Sequence, residues 1–482
     1  ILTLPIAAVT QVVPPALKGA VNAVSNQLDL DGTGTDATTI ASTVDAVDQK
    51  VSVPIDAPPN QPVAETVVTA VDGQLTSAGT AATRRSFEFT SEHFTKRSAS
   101  DYDLVFSGTG TGPNDRDGSI QGTAYLTYTV VSNSTYNVDD CLAFCDRVDQ
   151  CVFANLYYEF NNELLDFVFS EHSNLKCALY ADTHTAAEKT NTGGQQSIPP
   201  PAGLTFIQQS SGYSAKTLVE PTTPDGYELV FGPTGGANNA PGYMGFAFID
   251  KYDVEACAEL CNTRGPDPNG GQCQYFNIWR AVVDGTPTTY TCSMYFIVAD
   301  ESTAVNTGQG SLKVTFSRGY KRKNLLSDGG FEGFKQCSDF CFAASYAAWV
   351  GTSPAGGNLD ASIFFFAPYA HAGNGVGLLG SAAGVDALSG TLTPTQALAT
   401  VAGKKYNISF FHFSQFSGPT LEANSIVQVL WNGQVVLTIT PGFSAWKYFD
   451  VEVTATGNDK VAFTGGRAPA WSFIDDVAIY QV

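Results

Sequence analysis

Cysteine is the residue type whose spacing in this chain most clearly points to chemistry. One run reads Tyr136-Asn-Val-Asp-Asp-Cys-Leu-Ala-Phe-Cys145 and a second reads Tyr252-Asp-Val-Glu-Ala-Cys-Ala-Glu-Leu-Cys261. In each, two cysteines stand four residues apart on a helix-like stretch and so project from one face. A third follows in an aromatic, strand-like run (Cys151-Val-Phe-Ala-Asn-Leu-Tyr-Tyr; Cys273-Gln-Tyr-Phe-Asn-Ile-Trp). A fourth precedes an apolar strand (Cys177-Ala-Leu-Tyr; Cys292-Ser-Met-Tyr-Phe). Four thiolates at such spacing would also suit zinc. Disulfides are the favoured reading, because the third and fourth cysteines sit in apolar runs rather than in knuckle turns. Four cysteines allow three pairings per repeat.

Other reactive constellations are scarce. The five histidines, His93, His172, His184, His371 and His412, form no His-Glu-x-x-His pair, and no Gly-x-Ser-x-Gly elbow occurs. Gly375-Val-Gly-Leu-Leu-Gly380 matches a nucleotide-binding glycine pattern but lacks the flanking strand–loop–helix unit, so a glycine-rich strand is expected. Asp475-Asp476 are neighbours on a strand-like run, where alternate side chains point to opposite faces and cannot flank one bond. With every cysteine assigned to a disulfide, no nucleophile is left over. No catalytic residue is expected. Sugar stacking would use exposed rings, for which Trp349, Tyr369, Phe416, Trp431 and Trp446 are the candidates; each is also suited to a sandwich core.

The elements that must position these groups follow from composition and periodicity. Charged residues make up 15% of the 482, glycine numbers 46 and aromatics reach 12%, which favours β-rich domains with many turns. A net charge of −21 argues against duplex nucleic acid and anionic membrane as partners. No apolar run reaches the roughly 20 residues that span a bilayer. Ten regularly spaced cysteines point to an oxidising compartment, and the sequons at Asn133 and Asn407 fit a secreted glycoprotein.

Residues 1–100 contain no cysteine and read as an extended arm or pro-region. Weak helical stripes cover 14–28 and 36–50, prolines at 54–62 enforce an extended path, and an apolar patch spans 66–75. The turn Asp29–Asp36 resembles part of an EF-hand loop but lacks its first and twelfth carboxylates, so an acidic turn is expected there. The dibasic pairs ending at Arg85 and Arg97 have the form of processing sites. The first repeat opens at Asp101-Tyr-Asp-Leu-Val-Phe106 and runs to 184. Residues 185–224 read as a linker whose latter part, from Thr205, adds a strand. The second repeat opens at Gly226-Tyr-Glu-Leu-Val-Phe231 within 225–320. Residues 321–482 hold period-two strands separated by turns such as Trp431-Asn-Gly433, the pattern of an all-β sandwich.

The four-cysteine repeats, over about 98–182 and 225–318, resemble PAN/apple domains in their Cys-x3-Cys helix, Cys-x-aromatic strand and closing Cys-x-apolar-aromatic. That resemblance implies the pairs Cys141–Cys177, Cys145–Cys151, Cys257–Cys292 and Cys261–Cys273. The pair tying the termini of true apple domains is absent, which implies the shorter PAN form. The third region resembles galactose-binding-like jelly rolls of carbohydrate-binding modules, through Asn324-Leu-Leu…Gly-Gly-Phe-Glu332 and Trp471-Ser-Phe-Ile-Asp-Asp-Val477. It implies a structural calcium held by Glu332 and one of Asp475 or Asp476; no other cofactor is required. Cys337 and Cys341 depart from that pattern and are expected to close a small local loop. The whole arrangement resembles secreted fungal proteins that join such modules.

The expected fold class is therefore multidomain and mainly β: two disulfide-stapled α+β modules and a jelly roll, preceded by an arm. The expected function is a secreted, non-catalytic matrix, cell-wall or adhesion glycoprotein. Its partners would be glycans or extracellular proteins, with self-association through the arm. A homopolymeric filament subunit and a polysaccharide-active enzyme with accessory modules are the alternatives.

Overall fold

The computed structural model describes residues 99–482 apart from 111, 113, 162–172, 195–204, 250, 384–387 and 467–469. Before residue 99 it describes only the strands Leu2–Thr3, Val67–Val71 and Gln74–Ala78. The expected helices in the arm, the acidic turn, Arg85, Arg97, His93 and His172 lie outside the described residues. The apolar patch at 66–75 falls on an antiparallel strand pair in which Val71 faces Gln74.

The described residues are mainly β, with antiparallel sheets throughout. Both repeats build the same five-stranded sheet. In the first the order is Tyr102–Phe106, Phe206–Ala215, Phe153–Phe160, Ser173–Tyr180, Tyr125–Val131. In the second it is Tyr227–Thr234, Leu312–Arg322, Tyr275–Val283, Thr286–Tyr295, Tyr243–Ile249. Strand Phe206–Ala215 lies in the segment read from sequence as a linker, yet it is the second strand of the first sheet and matches Leu312–Arg322. Its polar, Gly- and Ser-containing sequence hid its extent. Buried side-chain hydrogen bonds specify it instead. Asn155 Nδ2 donates to Ser210 Oγ (2.8 Å) and Ser211 O (3.0 Å), as Asn277 does to Ser317 Oγ and Arg318 O (both 2.9 Å).

One helix lies over each sheet: α1 (Val138–Cys145) and α2 (Val254–Thr263). Each starts where an acceptor side chain meets a free amide. Asn137 accepts from Asp140 N (3.1 Å) and Asp253 from Ala256 N (2.9 Å), caps worth about 1 kcal/mol each. The buried faces carry Cys141, Leu142, Phe144 and Cys145 on α1, and Val254, Cys257, Ala258 and Cys261 on α2. The disulfides Cys141–Cys177, Cys145–Cys151, Cys257–Cys292 and Cys261–Cys273 join each helix to the strand beneath it and to the start of the next. A fifth, Cys337–Cys341, closes a local loop, and no cysteine is free. The tyrosine ahead of each helix ties it to the matched strand as well: Tyr136 OH donates to Gln209 O (2.6 Å) and Tyr252 OH to Phe316 O (2.5 Å).

The two repeats share a polar lock. Asp182 of the first accepts from Arg280 Nη1 and from Tyr290 OH (2.6 Å) of the second, and Thr123 Oγ lies 3.2 Å from the same phenol. The Arg280 guanidinium also stands over the Phe316 ring, 4.1 Å from its centroid.

Residues 324–482 form a sandwich. The six-stranded sheet runs Cys341–Ala343, Ala361–Phe365, Gly375–Leu379, Ser472–Gln481, Lys405–Phe413, Lys447–Thr454. The five-stranded partner runs Trp349–Thr352, Gly390–Pro394, Val461–Gly465, Val427–Trp431, Gln434–Ile439. Between them lies a core that includes Phe331, Trp349, Ile408, Phe410, Trp431 and Phe463. The buried Arg322, at the end of the second sheet, donates to Gln481 O (2.8 Å) and to Gln272 Oε1 (3.1 Å) and covers the Tyr480 ring, joining repeat to sandwich. Among the described residues no helix is long and apolar enough to cross a membrane.

Removing Asp182 strands a nearly buried guanidinium. Asp182→Ala is expected to lower unfolding free energy by about 3 kcal/mol, and Tyr290→Phe by about 1 kcal/mol. Urea midpoints at constant slope check both.

Candidate functional site

The outer face of the six-stranded sheet is where period-two alternation presents rings away from the core. Phe364, Val376, Leu378 and Phe473 point outward and are fully buried, because Tyr369, Phe413, Trp446 and Trp471 close over them. The second repeat covers one side of this face. Gly271 (φ +78°) has a backbone conformation that favours glycine, and a Cβ there would press on Phe411 at 3.3 Å and lie 3.4 Å from Tyr448. Beside it the His371 ring stacks on Phe411 (centroids 3.8 Å apart, planes at 14°), with Nδ1 2.7 Å from Asp476 Oδ2.

The other side is open. A connected run of rings begins at Phe342, stacked on Phe364 (5.0 Å), and continues through Phe340. From there it passes to Phe366 (5.3 Å), Tyr369 (4.8 Å), Phe416 (5.2 Å) and Trp471 (4.5 Å, 10°). Three of these rings are exposed: Phe340 at 49%, Phe416 at 46% and Phe342 at 39%. Large apolar side chains left in water at this density mark a contact surface rather than a core.

The run is held by polar groups beneath it. Glu422 ends the short helix Pro419–Glu422 and is fully buried. Its Oε1 accepts from Ser417 N (3.2 Å) and Trp471 N (3.1 Å), which fixes the Phe416 loop against Trp471. Burial pushes its carboxyl up from the ordinary range. Trp471 Nε1 donates to Ser381 O (3.1 Å). The Cys337–Cys341 disulfide brackets the loop that presents Phe340.

Of the sugar-stacking candidates, Trp349 (1% exposed) and Trp431 (6%) lie in the core. As a stacking candidate Trp431 is corrected by parity: Val427, Val429 and Trp431 share one inward face. Tyr369, Phe416 and Trp446 are on the outer face, and of the three Phe416 is the exposed one. Phe340, Phe342, Phe366, Trp471 and Glu422 were not singled out from sequence. The Phe-Cys-Phe alternation of 340–342, at a strand edge beside a disulfide, was the available signal.

Glu332, in a turn ahead of the first strand, and Asp475, in the last strand, both lie against residues 371–375, but backbone amides fill them. Glu332 Oε1 accepts from Asn374 N (2.6 Å) and Gly375 N (2.7 Å), and Asp475 Oδ2 from His371 N (2.8 Å) and Ala372 N (3.3 Å). Asp476 has φ +48°, a bulge that turns its carboxylate toward the same side as Asp475. A Cβ at Gly330 would lie 3.5 Å from Asp476 Oδ1 and 4.0 Å from Asp475 Oδ1. The expectation that these neighbours face opposite ways is thereby corrected. Burial, and then the adjacent Asp476 charge, push the Asp475 carboxyl well up. Calcium takes six to eight ionised or carbonyl oxygens. This arrangement does not fit it, and no group of three or more metal-ligating side chains converges among the described residues.

The Asn133 amide nitrogen donates to Ser173 O (3.1 Å) in the turn after Tyr125–Val131. Asn407 lies within a strand, with its amide on Asp450 Oδ2 (3.0 Å). The glycine pattern at 375–380 begins with a fully buried strand, Gly375–Leu379. His184 is buried in the first repeat, with Nδ1 2.8 Å from Glu188 Oε1. His412 is buried in the sandwich with neither ring nitrogen partnered, and burial pushes it down to about 3.

No protein-family model matches the chain, and no curated protein matches it. Solved structures resemble about a third of it. TmCBM61 in complex with beta-1,4-galactotriose matches at 17% identity and a TM-score of 0.24, covering 33% of this chain and 99% of that one. The CBM22-1 xylan-binding domain from Paenibacillus barcinonensis Xyn10C matches at 15% identity and TM-score 0.22, covering 33% and 95%. The K1 cleaved adhesin domain of Lys-gingipain from Porphyromonas gingivalis W83 matches at 15% identity and TM-score 0.22, covering 30% and 98%.

The neutral His412 gives a pH signature. Unfolded, it titrates near 6.5; folded, near 3, so between those values the unfolded chain binds the extra proton. Its contribution is complete above about pH 6.5 and is lost as pH falls toward 3. Against His412→Gln, the wild type should lose about 1.4 kcal/mol of unfolding free energy per pH unit across that window. A difference independent of pH would show that His412 is solvated.

Proposed function

We propose that the chain is a secreted, non-catalytic glycan-binding protein of the matrix or adhesion type. In this reading two PAN-like disulfide modules carry a sandwich whose open ring run is the sugar platform. The observation that supports it is the run from Phe342 to Trp471, with three rings exposed in a chain whose other large aromatics are mostly buried. Pyranose rings present flat C–H faces that lie on aromatic planes, and such contact gains apolar burial without desolvating a charge. The Phe416–Trp471 pair, stacked at 4.5 Å and 10°, is the flattest step of the run. Glu422 acts as a positioning residue, since its carboxylate sets the loop that carries Phe416.

The surface is built for contact rather than turnover. Its polar groups, Glu422 and Ser381, accept from the protein's own N–H groups and present no nucleophile with a neighbouring base. The five disulfides suit an extracellular setting.

A glycan array on the intact protein, followed by calorimetry with the strongest hit, tests this reading. Phe416→Ala should weaken binding about tenfold or more while changing unfolding free energy by less than about 1 kcal/mol, because the ring is half exposed. Glu422→Gln should weaken it less, through misplacement of the loop. An array with no signal above background sinks the proposal.

A further inference from the structure

The duplicated sheets can be compared position by position, and they part company on the faces turned away from the helices. In the first repeat, the residue before Cys177 is Lys176. Its ammonium is 3.4 Å from Glu159 Oε1 and 4.3 Å from the Tyr128 ring centroid, all three groups being buried. That face is closed by the repeat's own Phe106, Ile120 and Ile207. In the second repeat the matched positions are Thr291, Ala281 and Phe246. Among the described residues the face carries no charge: Phe246 and Phe248 are in edge-to-face contact (5.2 Å), and Thr291 lies between Phe248 and Trp279 in the ladder.

Strand Tyr243–Ile249 is the edge of its sheet, where side chains and backbone would ordinarily meet water. Phe246 and Phe248 are nevertheless only 1% and 0% exposed. The strand Val67–Val71 runs within 8 Å of this edge strand. It is paired with Gln74–Ala78 and is not hydrogen-bonded into the second sheet.

We propose that the outer face of the second repeat is a docking surface for the chain's own strand pair Val67–Val71 and Gln74–Ala78. The first repeat does not offer such a surface, because its matched face is already closed by its own Phe106, Ile120 and Ile207 over the buried Lys176–Glu159 pair. The uncharged rings of Phe246, Phe248 and Trp279 instead gain from being covered. In sequence, the dibasic pairs Arg84-Arg85 and Lys96-Arg97 stand between these strands and the first repeat. Hydrolysis of the peptide bond after either pair cuts the tether, and the strand pair is then held by the docking surface alone. Processing thereby converts a covalent arm into an exchangeable cover.

The test uses the full chain with a specific protease site placed at Arg84-Arg85. After cleavage, the N-terminal fragment should co-elute with the body on size exclusion. In the variant Val68→Pro with Ala70→Pro, which leaves the body untouched, it should elute separately. Amide hydrogen exchange in Tyr243–Ile249 should also rise about tenfold or more, with Tyr125–Val131 of the first repeat unchanged. A wild-type fragment that elutes alone, or exchange in 243–249 that the proline variant does not alter, overturns the proposal. Protection of 243–249 that disappears on dilution of the intact chain also overturns it, since the cover would then come from a second copy.

Discussion

Two cysteines one helical turn apart hold a short helix on a sheet, and the architecture of both repeats follows from that constraint. Helices α1 and α2 are eight and ten residues long, below the length at which a helix is stable alone in water. Each is fixed at two points one turn apart, so it can neither roll nor slide on the sheet. A disulfide of this kind is worth about 2–4 kcal/mol. With the helix fixed, the strands beneath it can be irregular. Gln209 and Phe316 both adopt positive φ, and in both repeats the tyrosine preceding the helix donates to that residue's carbonyl. The staple, the tyrosine and the buried asparagine form one unit, and the chain contains it twice.

How much of this was readable in the sequence depended on whether the signal was local. The cysteine spacing, the period-two runs of the sandwich and its turns are local, and they led to the mainly β, disulfide-rich class that the structure has. Strand Phe206–Ala215 was only half legible, because what places it is Asn155, about fifty residues earlier, and not its own apolar content. The paired acids Asp475 and Asp476 misled in the opposite way: strand alternation is a sound rule until a bulge interrupts it, and one residue at φ +48° is enough.

The ring run was the least legible feature. Phe342, Phe340, Phe366, Tyr369, Phe416 and Trp471 come from separate stretches of the sandwich and become neighbours only when its loops fold over the six-stranded sheet. No window of sequence contains more than a few of them. The buried tryptophans show why ring type alone cannot sort exposed from internal. Trp349 and Trp431 are as large and as close to turns as Trp471, yet their strand parity points them inward. Parity was present in the sequence, whereas loop closure was not.

The duplication separates what the fold requires from what it leaves free. The groups that staple and cap the helix are matched between the repeats: four cysteines, a side-chain acceptor at the helix start and the tyrosine ahead of it. On the other face the buried asparagine is matched too, but a lysine–glutamate pair stands in one repeat where threonine and alanine stand in the other. A charged pair buried in a sheet is seldom a gain over apolar packing of the same volume, so stability does not require it. The staples, the caps, the tyrosine and the asparagine build the sheet in both copies. The rest of the opposite side differs between the two and is therefore where two copies of one module can acquire different contacts.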